Sequence, residues 1–191
     1  MELYAARHGQ TVANLERRRQ GRGDSPLTEQ GIEQAIELRK EIEDIEFDAV
    51  YCSTLGRALE TAKIALNARY RINEDSRLVE FGFGVMDGML IEEADIAYPE
   101  SGSLFMTDPA SYKIPPGGES VSEIITRVDS FLNDIISMNY NKVFVLTHGL
   151  TMRVLYACTI DKAIPTIAQA PHYENCELVR YTYDFGKWNH T

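Results

Sequence analysis

The sequence has little cysteine and a deficit of positive charge, and both shortages exclude classes of protein. Three cysteines, Cys52, Cys158 and Cys176, stand far apart, with no Cys-x-x-Cys pair. We therefore expect reduced thiols in a cytoplasmic protein rather than a disulfide framework. Nineteen lysines and arginines stand against 29 aspartates and glutamates, for a formal net charge of −10. This balance argues against nucleic acid or an anionic membrane as a partner.

Long apolar runs are missing as well. No stretch is long enough to cross a bilayer. Arg7 and His8 interrupt the first apolar segment, so we expect no signal peptide. With 191 residues, 44% hydrophobic and 25% charged, the chain has the composition of one globular domain spanning 1–191. Because the protein as a whole repels anions, any site for an anionic substrate must be a local basic pocket.

Strand and helix patterns alternate along the chain. Short apolar runs predict strands at 3–6, 47–52, 70–72, 142–147 and 177–183. Helical spacing predicts helices at 28–45, 55–68, 90–98, 120–136 and 150–159. Thr28 is the expected cap of the first helix, Ser53 or Thr54 that of the second, and Ser120 with Glu123 forms a capping box for the fourth. The alternation predicts a three-layer α/β/α sandwich with a mostly parallel sheet.

A long, weakly patterned insert separates the third predicted strand from the long fourth helix. Residues 73–118 are rich in glycine and proline, and we expect a lid or binding loop at about 81–118. Its aromatic and methionine side chains could line a pocket for an apolar leaving group. The plainer interpretation is that they pack the insert onto the sheet.

Basic residues and histidines follow the predicted strands. Arg7 and His8 come after the first, Arg57 shortly after the second, and His148 after the fourth. Ligands of such sheets bind at the carboxyl ends of the strands. The planar fork of arginine matches a phosphate, so Arg7 and Arg57 predict a phosphate clamp. A surface salt bridge is the alternative for either arginine alone.

His8 is the candidate nucleophile of such a site. Nearby arginines disfavour the imidazolium form and keep the ring neutral, and Gly9 would let the substrate approach closely. A hydrogen-bonded core histidine is one alternative. Another is a metal site shared by His8 and His148 and completed by distant carboxylates, although no His-x-x-x-His or Glu-x-x-His pair surrounds them.

Glu80 is the candidate proton donor. It lies in the apolar and glycine-rich segment 78–84, and apolar neighbours favour the protonated form of a carboxyl group. The alternative is an exposed loop carboxylate.

Together these segments resemble the histidine phosphatase superfamily, also called the phosphoglycerate-mutase-like fold. Six motifs, within 7–14, 20–31, 53–62, 78–88, 116–128 and 145–149, follow one another in the family's order. The first reads Arg7-His8-Gly9-x-Thr11-x-x-Asn14 and the last Thr147-His148-Gly149. A single short motif is weak evidence, whereas an ordered set is strong.

The resemblance implies a role for each matching residue. His8 would become a phosphohistidine, and Glu80 would protonate the leaving group and later activate water. The implied phosphate-binding residues are Arg7, Asn14, Arg57, His148 and Gly149. No metal and no organic cofactor are implied, and the partner would be a small phosphate ester. The sequence leaves the oligomeric state open, including a homo-oligomer.

The insert favours a phosphatase over a mutase. From Phe81 to Tyr112 there is no lysine or arginine, although a mutase must hold a doubly phosphorylated intermediate. Phe81 follows Glu80 where mutases of this family usually carry arginine, and Leu150 stands where they usually carry asparagine. We therefore expect a metal-independent phosphomonoesterase acting on a small phosphorylated metabolite. A mutase-type phosphotransferase and a non-catalytic binding protein remain the alternatives.

Overall fold

A computed structural model describes residues 1–190, and the last residue of the predicted domain, Thr191, lies outside the described residues. Its six-stranded sheet has the order β3-β2-β4-β1-β5-β6. The strands are β1 Glu2–Arg7, β2 Ala49–Cys52, β3 Ile72–Glu74, β4 Lys142–Thr147, β5 Leu178–Asp184 and β6 Lys187–His190. The first four in this order run parallel, and β5 and β6 form an antiparallel hairpin at one edge. The mostly parallel sheet is confirmed, whereas β6 was not predicted.

The helices agree with the sequence patterns where they are long. They are α1 Val12–Leu15, α2 Glu29–Ile42, α3 Gly56–Leu66, α4 Ile91–Ala97, α5 Leu104–Thr107, α6 Val121–Ser137, α7 Gly149–Cys158 and α8 Thr166–Gln169. Two 3₁₀ turns lie at Ser76–Leu78 and Gly84–Met86. The short helices α1, α5 and α8 were not predicted. Within residues 1–190, no helix combines the length and the apolar character needed to cross a membrane.

The sheet is covered on both faces, as the predicted sandwich requires. Leu3 and Ala5 of β1 face a core that includes apolar residues of α6 and α7. Tyr4 and Ala6 face the opposite core, built with α2 and α3. Successive strand residues point to opposite faces. A strand buried on both faces is therefore apolar throughout, which is why β1 and β4 read as continuous apolar runs.

Of the N-caps predicted for α6 and α3, the first is confirmed and the second is wrong. Helix α6 has Ser120 as its N-cap, with the predicted capping box to Glu123. Helix α3 begins differently, because its N-cap is Leu55 and no side chain of its own caps it. Instead Asp24 Oδ1, from the loop before α2, accepts a hydrogen bond from the Arg57 amide at 3.2 Å. The prediction that Ser53 or Thr54 caps α3 is therefore wrong.

The insert is packed onto the sheet through aromatic side chains. Phe81 and Phe105 are fully buried, with ring centroids 4.1 Å apart. Phe83 and Tyr112 contact Phe81 edge-on, with centroids at 5.2 and 5.5 Å. The plainer interpretation of these residues, packing rather than pocket lining, agrees with this burial. Helix α4 lies where a helix was expected at 90–98.

Candidate active site

The carboxyl ends of β1, β2 and β4 bring three predicted segments together. The His8 amide donates to the Thr147 carbonyl at 2.9 Å, and the Ser53 amide donates to the Leu146 carbonyl at 3.0 Å. As a result the rings of His8 and His148 lie with centroids 5.2 Å apart. His148 Nε2 is hydrogen-bonded to Ser53 Oγ at 2.7 Å.

The contacts of His8 fix its protonation state. Arg57 Nε lies 3.2 Å from His8 Nε2, and a guanidinium can only donate, so Nε2 is the unprotonated nitrogen. On the other side, Nδ1 donates to the Gly9 carbonyl at 2.7 Å. The ring is 2% exposed. Burial, and then the charges of Arg57 and Arg7, hold its pKa well below the usual value. His8 therefore presents a neutral ring with a lone pair on Nε2.

Arg57 is held from both sides of its guanidinium. Nη2 donates to the Gly21 carbonyl at 2.9 Å and Nη1 to the Gly23 carbonyl at 2.6 Å. The side chain is buried, and Asp24 Oδ1 lies 3.5 Å from Nη1. Burial lowers the pKa of Arg57, opposed by Glu80 and Asp24. The loop before α2 thus fixes the direction in which this cation faces His8.

Arg7 lies beside the start of α7. Its Nη1 donates to the Tyr173 carbonyl at 2.8 Å. A Cβ built on Gly149 would lie 3.4 Å from Arg7 Nε. That Nε is buried and has no hydrogen-bond partner among the described residues. Burial lowers the pKa of Arg7, opposed by Glu80. An unpartnered, buried donor beside a helix N-terminus is the arrangement that an anion would satisfy.

His148 also offers an unpartnered atom. Its Nδ1 is buried without a hydrogen-bond partner in the part of the chain that the structure describes. Burial is the main cause that holds the pKa of His148 well below its usual value, followed by the charges of Arg57 and His8. Two uncharged imidazoles and two guanidiniums, those of Arg7 and Arg57, therefore share this site.

Glu80 lies at the N-terminus of α7. Its Oε1 accepts from the amides of Phe81 at 2.9 Å and Thr151 at 3.1 Å, and from Thr151 Oγ1 at 3.2 Å. Its Oε2 accepts from the Leu150 amide at 3.3 Å. The residue is 9% exposed, so the alternative of an exposed loop carboxylate is wrong. Amide groups of a helix end, rather than apolar side chains, meet the carboxylate oxygens.

Asn14 and Gly9 have local structural contacts. Asn14 Oδ1 accepts from the amide of Thr11 at 3.1 Å and from its hydroxyl at 3.0 Å, and so completes the capping box of α1, whose N-cap is Thr11. Its side-chain NH₂ remains the group that could contact a phosphate. A Cβ on Gly9 would lie 2.5 Å from the Gly31 carbonyl oxygen in α2. Gly9 therefore permits close packing against α2, a role the sequence did not indicate.

A buried ion pair supports the turn that carries Glu80. Arg127 Nε and Nη2 donate to the two oxygens of Glu119 at 2.8 and 3.1 Å. Arg127 Nη2 also reaches the Glu80 carbonyl at 3.4 Å, and Glu119 Oε2 accepts from the Gly82 amide at 3.3 Å. Both residues lie inside the 116–128 motif, but only the structure gives their partners. The same is true of Ser53 and Asp24.

The described residues hold no group of three or more His, Cys, Asp or Glu that could bind a metal ion. The shared metal site considered for His8 and His148 therefore lacks the carboxylates that would complete it there. What the two residues do share is a pocket with fixed positive charge. A neutral, buried imidazole beside two arginines can attack an electrophilic phosphorus whose oxygens those arginines bind.

Residues 3–191 match a family model described as the histidine phosphatase superfamily (branch 1). A protein of Erwinia tasmaniensis named probable phosphoglycerate mutase GpmB is 30% identical over 191 residues, covering 98% of this chain and 87% of that protein. Phosphoserine phosphatase 1 of Hydrogenobacter thermophilus is 32% identical over 162 residues, covering 84% and 76%. The solved structure of Bacillus stearothermophilus YhfR has a TM-score of 0.90 at 33% identity, covering 99% and 94%.

Proposed function

This chain belongs to the histidine phosphatase superfamily, and we propose that it is a metal-independent phosphomonoesterase that works through a phosphohistidine at His8. The family contains phosphatases and mutases, so the choice between them is part of the proposal. The substrate class is a small phosphate monoester. The observation that carries the proposal is the neutral His8 ring, whose Nε2 lone pair faces Arg57.

The first chemical step transfers the phosphoryl group to His8. The Nε2 lone pair forms the N–P bond while the P–O bond to the leaving oxygen breaks, and the electron pair of that bond stays on the oxygen. Protonated Glu80 gives this oxygen its proton. Arg7, Arg57 and His148 bind the remaining phosphate oxygens, whose charge the two guanidiniums stabilise. Asn14 and the Gly149 amide complete the proposed phosphate contacts.

The second step returns the enzyme to its starting state. Water attacks phosphorus, the Glu80 carboxylate takes a proton from the water, and the N–P bond breaks with its electron pair returning to Nε2. Phosphate leaves, and Glu80 is again protonated. The guanidiniums supply the positive charge that a cation supplies in metallophosphatases, so no metal and no organic cofactor enter this scheme.

The insert supports hydrolysis over the phosphoryl transfer that a mutase performs. Phe81, next to Glu80, is fully buried against Phe105 and offers no charge to a second phosphate or a carboxylate. The segment from Phe81 to Tyr112 contributes no cation of its own. The relative named phosphoserine phosphatase 1 is in keeping with this choice. The relative named probable phosphoglycerate mutase GpmB favours the other, so the test includes both activities.

The test compares wild type, His8→Ala and His172→Ala with excess chelator present. His172 is an exposed histidine and serves as the matched control. We expect wild type and His172→Ala to hydrolyse p-nitrophenyl phosphate and to form an acid-labile phosphoprotein when quenched, and His8→Ala to do neither. With 3-phosphoglycerate, phosphate release should exceed isomerisation.

Three results would count against the proposal. Activity that disappears with chelator and returns only with a divalent cation contradicts the metal-independent scheme. An acid-stable adduct on serine contradicts the nucleophile. Isomerisation faster than phosphate release identifies a mutase.

A further inference from the structure

One buried cation reaches into the insert from outside it. Arg19 lies in the loop between α1 and α2 and is 6% exposed. Its Nη2 donates to Asp95 Oδ1 at 2.6 Å and to Ser103 Oγ at 3.1 Å, and its guanidinium lies 5.0 Å from the Phe83 ring centroid. Ser103 Oγ in turn donates to Asp95 Oδ2 at 2.7 Å. Arg19 thus joins α4, the residue before α5 and the turn after Glu80.

Main-chain hydrogen bonds join the same loop to the insert. The Arg19 amide donates to the Met89 carbonyl at 2.9 Å, and the Gly88 amide donates to the Arg19 carbonyl at 2.7 Å. The Ile91 amide donates to the Arg17 carbonyl at 2.9 Å. Residues 17–19 therefore run along the insert as a short paired segment, with the Arg19 side chain as its deepest anchor.

The next residues of this loop hold Arg57, one of the two arginines of the predicted phosphate clamp. The carbonyls of Gly21 and Gly23 accept from the two ends of the Arg57 guanidinium, and Arg57 Nε contacts His8 Nε2. Asp87 of the insert adds a further link, because its Oδ2 accepts from the Arg22 amide at 3.2 Å. A continuous series of short contacts therefore leads from the insert through 19–23 to Arg57 and then to His8.

We propose that the insert holds Arg57 in its phosphate-binding position, a role that we call the brace. Arg19 is the positioning residue that connects the insert to Arg57. The role rests on the proposed phosphatase function. Arg19 acts through the loop and touches neither substrate nor His8. Its hydrogen bonds to Asp95 and Ser103 set the register of residues 17–23 on the insert, and this register sets where the Gly21 and Gly23 carbonyls point the Arg57 fork.

Packing alone does not explain an arginine at this place. An unbranched apolar side chain would fill the same space over Phe83 without the cost of removing a charge from water. Arg19 Nε has no hydrogen-bond partner among the described residues, so the cost of removing this donor from water is not offset by a hydrogen bond. What the guanidinium provides that an apolar residue cannot is direction, through hydrogen bonds to two fixed oxygens.

The test is Arg19→Met, with Arg17→Met as the matched control. Arg17 also links this loop to α4, through Glu92 at 3.0 Å, but both side chains are about two-thirds exposed or more. The measurements are kcat and KM for p-nitrophenyl phosphate and the inhibition constant of orthovanadate, which occupies a phosphate site. Small misplacement of a positioning group costs up to about 100-fold in rate. We expect Arg19→Met to weaken vanadate inhibition by about tenfold or more and Arg17→Met by less than about twofold.

Two further variants separate positioning from folding. Asp95→Asn removes the charge of the anchor but keeps its shape, and should weaken vanadate inhibition in the same direction as Arg19→Met. Arg19→Lys keeps a charge that can reach Asp95 and should recover part of the loss. Both are measured at a temperature where circular dichroism shows each variant folded.

The measurements distinguish a positioning role of Arg19 from a purely structural one and from failure of the proposed function. If Arg19→Met and Asp95→Asn change the unfolding temperature but leave vanadate inhibition and kcat at the wild-type values, the brace is overturned and the pair is only structural. If the wild type neither hydrolyses the aryl phosphate nor binds vanadate, the proposed function fails instead. Weaker vanadate inhibition in both variants, with partial recovery in Arg19→Lys, supports the brace.

Discussion

Acidification should destabilise this protein through the two histidines of the site. His8 and His148 are buried and have pKa values held well below 6.5 by burial and nearby arginines. Above pH 6.5 both the native and the unfolded chain leave these rings uncharged, so they make no difference to stability. Below it the unfolded chain binds protons that the native chain does not. Stability is therefore lost as the pH falls, until the native pKa values are reached.

The size of this loss follows from the ordinary histidine pKa. A group that titrates only in the unfolded state costs about 2 kcal/mol between pH 7 and pH 5. Two such groups cost about 4 kcal/mol, the upper limit that applies if both rings stay uncharged in the native state at pH 5. Since native domains have a free energy of unfolding of about 5–15 kcal/mol, the loss is a large fraction of the total.

The assay is urea unfolding at pH 7, 6 and 5 and constant ionic strength. We compare wild type with the double variant His8→Asn, His148→Gln, whose side chains keep hydrogen-bonding groups near the ring nitrogens but do not titrate. His172→Gln is the control at an exposed histidine. Carboxylates titrate equally in all three proteins, so only the difference in pH dependence matters. If the double variant loses as much stability as wild type between pH 7 and 5, the two buried rings are not the cause.

Other predictions concern the catalytic groups. Glu80→Gln should slow hydrolysis of alkyl phosphates by about 10²–10⁴-fold but affect p-nitrophenyl phosphate far less, because a nitrophenolate leaves without a proton. Equal losses on both substrates, with no phosphoenzyme accumulating, would contradict the acid role, whereas an accumulating phosphoenzyme would mean that the loss lies in the water step. Arg57→Lys cannot reach both carbonyls that hold the fork, so vanadate affinity should fall at least about tenfold; unchanged affinity would place Arg57 outside the phosphate site. Asp24→Ala should lower the free energy of unfolding by about 1 kcal/mol through loss of the α3 cap, whereas Asp24→Asn keeps the acceptor and should cost less; equal costs measured by urea unfolding would mean that the cap is not what Asp24 contributes.

Patterns that depend on neighbours in the sequence predicted the fold well. Strand β4 ends where its apolar run ends, and α6 begins at the capping box of Ser120 and Glu123. Both signals are local, since the strand is buried on both faces and the cap lies within four residues. The short elements α1, α8 and β6 were not predicted because a segment of four residues is too short to show a hydrophobic periodicity.

Features that depend on distant partners could not be read from the chain. The cap of α3 comes from Asp24, more than thirty residues before the amide it satisfies. Arg19 is one of three successive arginines, and nothing in the sequence marks it as the buried one. The apolar neighbours of Glu80 in sequence indicated an apolar environment, yet its oxygens face the first amides of α7. Catalytic roles of the site residues stay predictions until they are measured.

The position of Glu80 has a consequence for what the start of α7 can bind. The amides of Leu150 and Thr151 already donate to its carboxyl oxygens, so these two donors at the positive end of α7 are occupied. An anion that enters the pocket cannot use the same two amides, and the guanidiniums of Arg7 and Arg57 have to supply the positive charge it needs. A helix N-terminus commonly serves as a binding site for a free anion, whereas here a side chain of the protein itself holds that place.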